Sequence, residues 1–392
     1  MAAEAAQDYA KLEAQAQKIM TVFTGHGYEH VAPATLQPAE VFLDVIGESL
    51  RGRTYVFSDP DGDELCLRPD LTVPVCRLHV ERHSKSDVRA RYCYNGSAFR
   101  FQPGGGDAIH PNEFRQAGIE NFAGSDKEKA EADIVSHTIE ALRICGLKDF
   151  QLRLGDLGLF RALLKSMDMP ERWRRRLLHT FGHAEVFRRE LEQLVSGPAQ
   201  ALKGLPQDLI ERIDPQDQHA TLCLTADYLA KHNIELIGAR TLSEIAGALA
   251  AAARDARAGP LAREHAETIE SYISIKAPSR AAGARLKDLM QARKIDLSDA
   301  LDIFRRRLAL LDDAGVDVNK SEFSAEFGRS LDYYTGFVFE IEAPLLGRES
   351  PLAGGGRYDG LLKATGAPFN VPAVGAAIHT ERLLGAVAGD SQ

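Results

Sequence analysis

RYCYNGSAFRFQPGGGDAIHPNEFRQAGIENFAG, residues 91–124, is the stretch on which the reading of this chain turns. Tyr92 and Tyr94 flank Cys93, and Phe99 and Phe101 flank Arg100, so the part before Gln102 alternates as a half-buried strand does. Gly104 to Gly106, with Pro103 before them and Pro111 after, read as a loop. Phe114 to Phe122 alternates again and carries Arg115, Gln116, Gly118 and Glu120. The whole predicts a long antiparallel hairpin with polar groups turned inward. A buried guanidinium and carboxylate need charge-assisted partners, supplied by each other or by a ligand. The same groups on an exposed face would make ordinary salt bridges.

Composition narrows the field. At 392 residues and 44% apolar content the chain has material for a large core and for two or three domains. The opening MAAEAAQDYAKLEAQ is too polar for a signal peptide or a membrane span, which leads to the expectation of a cytoplasmic protein. Five widely spaced cysteines, without a CxxC pair, point to buried free thiols rather than disulfides or a metal site. A net charge of -9 argues against a broad nucleic-acid footprint.

Outward from the hairpin, Tyr9, Leu12, Ala16, Ile19 and Phe23 fall at helical spacing. Residues 54–58 and 64–68 read as two strands around DPDGD, followed by a helix that Thr72 is placed to cap. Ser125 and Glu128 form a candidate capping box for the next helix, and DFQLRLG is a strand. From Leu157 to about Gly315 the pattern turns helical, giving an expected division into 1–156, an inserted helical region 157–316, and 317–392. Its run Arg172, Arg174, Arg175, Arg176 is read as a solvated helix face, with a partner contact as the alternative. The alternation in SEFSAEFGRSLDYYTGFVFEIEAP reads as a second hairpin, LAGGGRYDGLL as a turn or close backbone approach, and VPAVGAAIHTERLLGAV as strand then helix.

These pieces resemble the signature motifs of class II aminoacyl-tRNA synthetases: Pro33 after a helix, Phe99-Arg100 and RQAGIE around a loop, and a closing Glu381-Arg382. LRPDLT, FRQAGIENFAG, GRSLDYYTG and AGGGRYDGL are similar to the catalytic core of histidyl-tRNA synthetases. The resemblance implies an α+β fold, an antiparallel sheet flanked by helices with an inserted helical region, in a dimer. It also implies a histidine pocket made of Asp70, Thr72, Arg100, Gln116, Glu120, Arg329, Tyr333, Tyr334 and Tyr358, with Asp70 standing where the synthetases carry glutamate. The residue types suit a free amino acid: Asp70, Gln116 and Glu120 for its ammonium, Arg329 or Arg100 for its carboxylate, tyrosines for its ring. Adjacent strand residues face opposite sides, so the choice between Tyr333 and Tyr334 stays open.

The departures carry as much information. Gln102 replaces the acidic residue expected two positions after the motif arginine, and PGGGDAIHPNE has no Lys or Arg to hold ATP. His379 stands where the synthetases keep a glycine that leaves room for adenine, so Arg100 and Arg382 read as a remnant ATP site. Only a short tail follows Arg382, from which no anticodon-binding domain is expected. With these features the chain resembles the regulatory subunits of ATP phosphoribosyltransferase. That family implies no catalysis by this chain, no metal or cofactor, histidine as an effector, and a hetero-octamer with the short-form catalytic subunit, which joins ATP to phosphoribosyl pyrophosphate. No tRNA and no membrane are expected as partners. The alternatives are a histidyl-tRNA synthetase or histidine-adenylating enzyme, or an assembly subunit with an empty pocket.

Overall fold

In a computed structural model of the chain, residues 6–43, 48–83, 85, 87–107, 109–197, 206–234, 241–328 and 333–389 are described. The central hairpin is present: β5 (Ala90–Phe99) pairs antiparallel with β6 (Glu113–Phe122), Tyr92 opposite Glu120 and Gly96 opposite Gln116. From β6 the antiparallel sheet continues through β12 (Ala373–His379), β11 (Ala353–Arg357), β10 (Phe337–Glu342) and β7 (Gln151–Asp156). Short edges extend it: β1 (Glu29–His30) lies parallel to β5, β9 (Glu322–Ser324) lies parallel to β7, and β8 (Lys276–Pro278) closes the far side. Pro278 suits that last strand, since an edge needs no inward donor from it. A separate small sheet joins β2 (Leu36–Pro38), β4 (Glu64–Leu67) and β3 (Val56–Ser58), the last two being the expected hairpin around DPDGD.

Alternation along β6 sorts its polar residues onto two faces. Gln116 and Glu120 share one face with Tyr92 and Tyr94, whereas Arg115 points to the other, where it pairs with Glu13 and lies over Tyr9 of the helix Ala6–Gly25. The inward-facing hairpin of the sequence therefore carries Arg115 for packing and the other polar groups for a site.

Several local expectations are corrected. The strands around residues 322–341 form no hairpin with one another, because β7 lies between β9 and β10. Alternation identifies a strand but not its partner. Gly354 to Gly356 lie within the buried central strand β11 rather than in a turn. Thr72 opens the helix Thr72–Arg82 without capping it, and Asp70 takes that part by accepting from the Val73 amide at 3.1 Å. At the helix Lys127–Ile144 the cap is Asp126, which accepts from the Lys129 amide, rather than Ser125.

Two compact units are formed, one from residues 1–163 with 272–392, the other from 164–271. The inserted unit is thus shorter at both ends than the 157–316 expected. Helical periodicity continues through Ser279–Arg293 and Ser298–Asp313, but both belong to the sheet unit, the latter tied there by Arg307, which bonds Glu131 and Asp156 in full burial. Periodicity reports a helix and not what it packs on. Within the inserted unit, Leu209, Ile210, Ile213, Leu249, Ala250 and Ala253 form a core. There Arg172 and Arg176 both pair with Asp255, and Arg175 stays exposed, so the basic run is partly absorbed by its own unit. Of the cysteines, Cys66, Cys76 and Cys93 are buried, Cys145 is half-buried and Cys223 is exposed. Among the described residues no helix is long and apolar enough to cross a membrane.

Candidate ligand-binding site

The face of the sheet that bears Gln116 and Glu120 holds a cavity of about 170 Å³. Asp70, Thr72, Arg100, Gln116, Tyr333, Tyr334 and Tyr358 line it, so seven of the nine expected pocket residues meet around one space. Both tyrosines of the 333–334 pair line it. Glu120 lies just beneath. Arg329 falls outside the described residues.

Each position follows from local structure. Asp70 and Thr72 stand at the entry of the helix Thr72–Arg82, where a strand gives way to the first helical turn. Tyr358 follows β11, and its neighbour Arg357 is anchored by Glu131 and by Asp359 at 2.9 Å. That pair of bonds fixes the end of the strand and turns Tyr358 toward Glu120. Tyr333, Tyr334 and Tyr358 form a cluster of three rings, with centroids 4.8 to 6.4 Å apart.

Glu120 is fully buried, and its carboxyl accepts hydrogen bonds from the Tyr94 hydroxyl at 3.0 Å and from the Tyr358 hydroxyl. Burial raises its pKa from 4.5 to about 8, against the opposing pull of the Tyr358, Thr72 and Tyr94 hydroxyls. Asp70, 3% exposed, is also pushed up by burial, countered by the Val73 amide and the Arg100 charge. Two carboxyls held in this way near a cavity match a cationic ligand. Asp70 Oδ2 and Gln116 Oε1 are buried and accept no hydrogen bond, so two lining side chains each carry an acceptor that the described residues leave unmet.

The floor depends on glycine. A Cβ at Gly375 would stand 1.6 Å from Glu120 Oε2, and one at Gly118 would stand 2.4 Å from the Tyr94 hydroxyl. Only hydrogen at these positions leaves space for the carboxyl and phenol. Tyr94 and Gly375 were missed in the sequence; Tyr94 could have been found as the residue two positions from Tyr92 on the same strand face.

A second cavity, of about 270 Å³, adjoins the first, and Arg53, Arg100 and His379 line both. Arg382 lines only the second, so it does not join the amino-acid pocket. Here three of the four lining arginines donate to the main chain: Arg100 Nε to Pro69 O at 2.8 Å, Arg53 Nε to Phe101 O at 3.0 Å, and Arg382 to Ile109 O at 3.1 Å and Pro351 O at 3.0 Å, while Arg348 pairs with Glu322. The His379 ring packs on Phe114, centroids 5.2 Å apart, with the Arg100 guanidinium over the same phenyl at 5.0 Å. The imidazole at position 379 thus stands in the wall between the two spaces. Among the described residues no group of three or more His, Cys, Asp or Glu is arranged to hold a metal ion.

Comparison with known proteins agrees with this architecture. A family model described as histidyl-tRNA synthetase matches residues 4–213 and 218–383. The ATP phosphoribosyltransferase regulatory subunit of Allorhizobium ampelinum is 35% identical over 92% of this chain and 94% of its own length. Those of Brucella anthropi and Mesorhizobium japonicum are 33% and 34% identical, over 89% and 95% of this chain and 90% and 97% of their own lengths. Among solved structures, an ATP phosphoribosyltransferase regulatory subunit/histidyl-tRNA synthetase from Bacillus halodurans superposes with a TM-score of 0.70, at 21% identity, over 99% of this chain and 81% of that one. Histidyl-tRNA synthetase from Nostoc gives 0.61 at 16% identity, over 97% of this chain and 72% of that one. These two likenesses show the fold, a class II synthetase-like sheet with flanking helices. The chain belongs to the ATP phosphoribosyltransferase regulatory subunit family, on a histidyl-tRNA synthetase framework.

Proposed function

We propose that this chain serves ATP phosphoribosyltransferase as its non-catalytic regulatory subunit and senses histidine in the cavity above Glu120. The relatives' name supplies the regulatory role and the catalytic partner. The observation that carries the sensing is the pair of buried, unpartnered acceptors, Asp70 Oδ2 and Gln116 Oε1, on side chains that line a cavity of about 170 Å³. An ammonium meets both, with Asp70 supplying the charge. The imidazole takes the deeper place against Glu120 and the tyrosines, and Arg100 is within the same lining for the carboxylate. For histidine to regulate the partner, it must bind two states of the complex with unequal affinity, and the partner's substrates must shift histidine affinity in return. Self-association and the hetero-octamer implied by the resemblance belong to this reading and are measured by the mass of the purified complex.

Isothermal titration of histidine and, separately, ATP into the purified chain is the test. Saturable histidine binding without ATP binding upholds the reading. Binding of both, with histidine-dependent ATP–pyrophosphate exchange, returns the chain to the adenylating enzymes, whose two motif arginines it retains.

A further inference from the structure

The second cavity has a roof. Ile109, His110 and Pro111 line it, and Arg382 stitches this stretch to the opposite rim by donating to Ile109 O and Pro351 O together. A second stitch lies one residue along: the His110 Nε2 and Ser350 hydroxyl are 3.2 Å apart. The stretch ends on Asn112, whose side-chain oxygen accepts from the Gln102 amide and whose carbonyl accepts from the Arg100 amide. Residues 109–112 therefore run as a strap, fastened at one end to residues 350–351 and at the other to the base of Arg100. Arg100 lines the first cavity as well. Burial lowers the Arg382 pKa, with Glu381 and Asp107 opposing, so this is a guanidinium taken partly out of water.

We propose that Arg382 is a positioning residue, a clasp that holds the strap Ile109–Asn112 down over the second cavity and thereby fixes Arg100 and the His379 wall beside the amino-acid pocket. A guanidinium presents donors in a fixed planar fork and can bridge two carbonyls from two segments at once; an ammonium at the end of a lysine cannot reproduce that geometry. The arginine that the remnant-ATP reading assigns to nucleotide is thus engaged in the protein's own main chain. Its effect on the proposed amino-acid ligand is indirect: a loosened strap frees Arg100 and lets the pocket open, so the ligand leaves faster. The clasp itself does not depend on what the first cavity binds, and only this last consequence rests on the histidine reading.

The test is amide hydrogen exchange of the full chain as wild type, Arg382→Ala, Arg382→Lys and, as a control on an exposed arginine of the inserted unit, Arg175→Ala, followed by histidine titration of each. Arg382→Ala is expected to raise exchange about tenfold in peptides spanning 109–112, with the rest of the sheet unit unchanged. Arg382→Lys is expected to rescue little of that protection. Histidine dissociation is expected to quicken several-fold in both. Unchanged exchange in the strap overturns the clasp, and so does loosening spread evenly over the sheet unit, which marks a merely structural arginine. ATP binding to the wild type that is lost in Arg382→Ala also overturns it, by making Arg382 a ligand contact. If no variant and no wild type binds histidine, the sensing proposal fails while the exchange result still decides the clasp.

Discussion

The two cavities that meet at His379 share a sheet and three lining residues, yet their polar groups are satisfied in opposite ways. In the first, the lining side chains Asp70 and Gln116 each keep a buried acceptor unpartnered, and a fully buried carboxyl lies beneath. In the second, Arg382 donates to the Ile109 and Pro351 carbonyls, and Arg53, which lines both spaces, donates to that of Phe101. A buried polar group left unmet costs free energy that a ligand recovers, whereas a group already bonded gains little from one. Under the proposed reading, the difference separates a site that takes the ligand from one whose arginine Arg382 serves the fold.

The largest break in that comparison comes from Gly375→Ala. The added methyl overlaps Glu120 Oε2, so the buried carboxyl must move or the strands β6 and β12 must part. Histidine binding is expected to vanish in calorimetry, with stability lowered by about 1–3 kcal/mol in denaturant melts. Next in size is Glu120→Gln, which keeps shape but removes the carboxyl, and should weaken histidine binding by about a hundredfold. An affinity unchanged by this substitution places the ligand elsewhere.

Glu120 also gives the first cavity a pH signature. Its folded pKa of about 8 lies above the ordinary 4.5, so the folded chain binds more protons through that window. Stability is therefore expected to fall as pH rises from about 4.5 to 8, and Glu120→Gln should flatten that slope. A cationic ligand favours the ionised carboxyl, so at pH 7 binding should release a proton, read from titrations in buffers of different ionisation heat.

Asp70→Asn has a smaller expected effect, since asparagine still caps the helix while losing the charge. Histidine affinity should fall about tenfold with little change in melting temperature. The smallest change sharpens the second cavity: His379→Gly removes the imidazole from the shared wall and should give weak ATP binding by calorimetry where the wild type gives none. No gain would mean that the strap, rather than the imidazole, excludes nucleotide.

Much of the fold was legible because alternation and turn residues are local. The hairpin at 91–122, the helix at 6–25 and the strand-helix close at 373–389 all follow from side-chain period and punctuation. What misled was pairing and packing: Glu322–Ser324 read as the hairpin mate of Phe337–Glu342, and Ser298–Asp313 as part of the insertion. Both are statements about distant neighbours, which period does not encode.

For the site, the residue types and motif order of the sequence, set beside the histidyl-tRNA synthetases they resemble, were enough to name Asp70, Thr72, Gln116, Glu120 and Tyr358 and to notice His379 as out of place. Only the tertiary structure decided that Arg115 turns away from the pocket, that both Tyr333 and Tyr334 reach it, that Gly375 gives Glu120 its space, and that Arg382 is held by Ile109 and Pro351. The physical reason is that the chemistry of a side chain is written at its own position. Whether its hydrogen-bonding capacity is left open for a ligand or met by the protein depends on main-chain groups tens to hundreds of residues away.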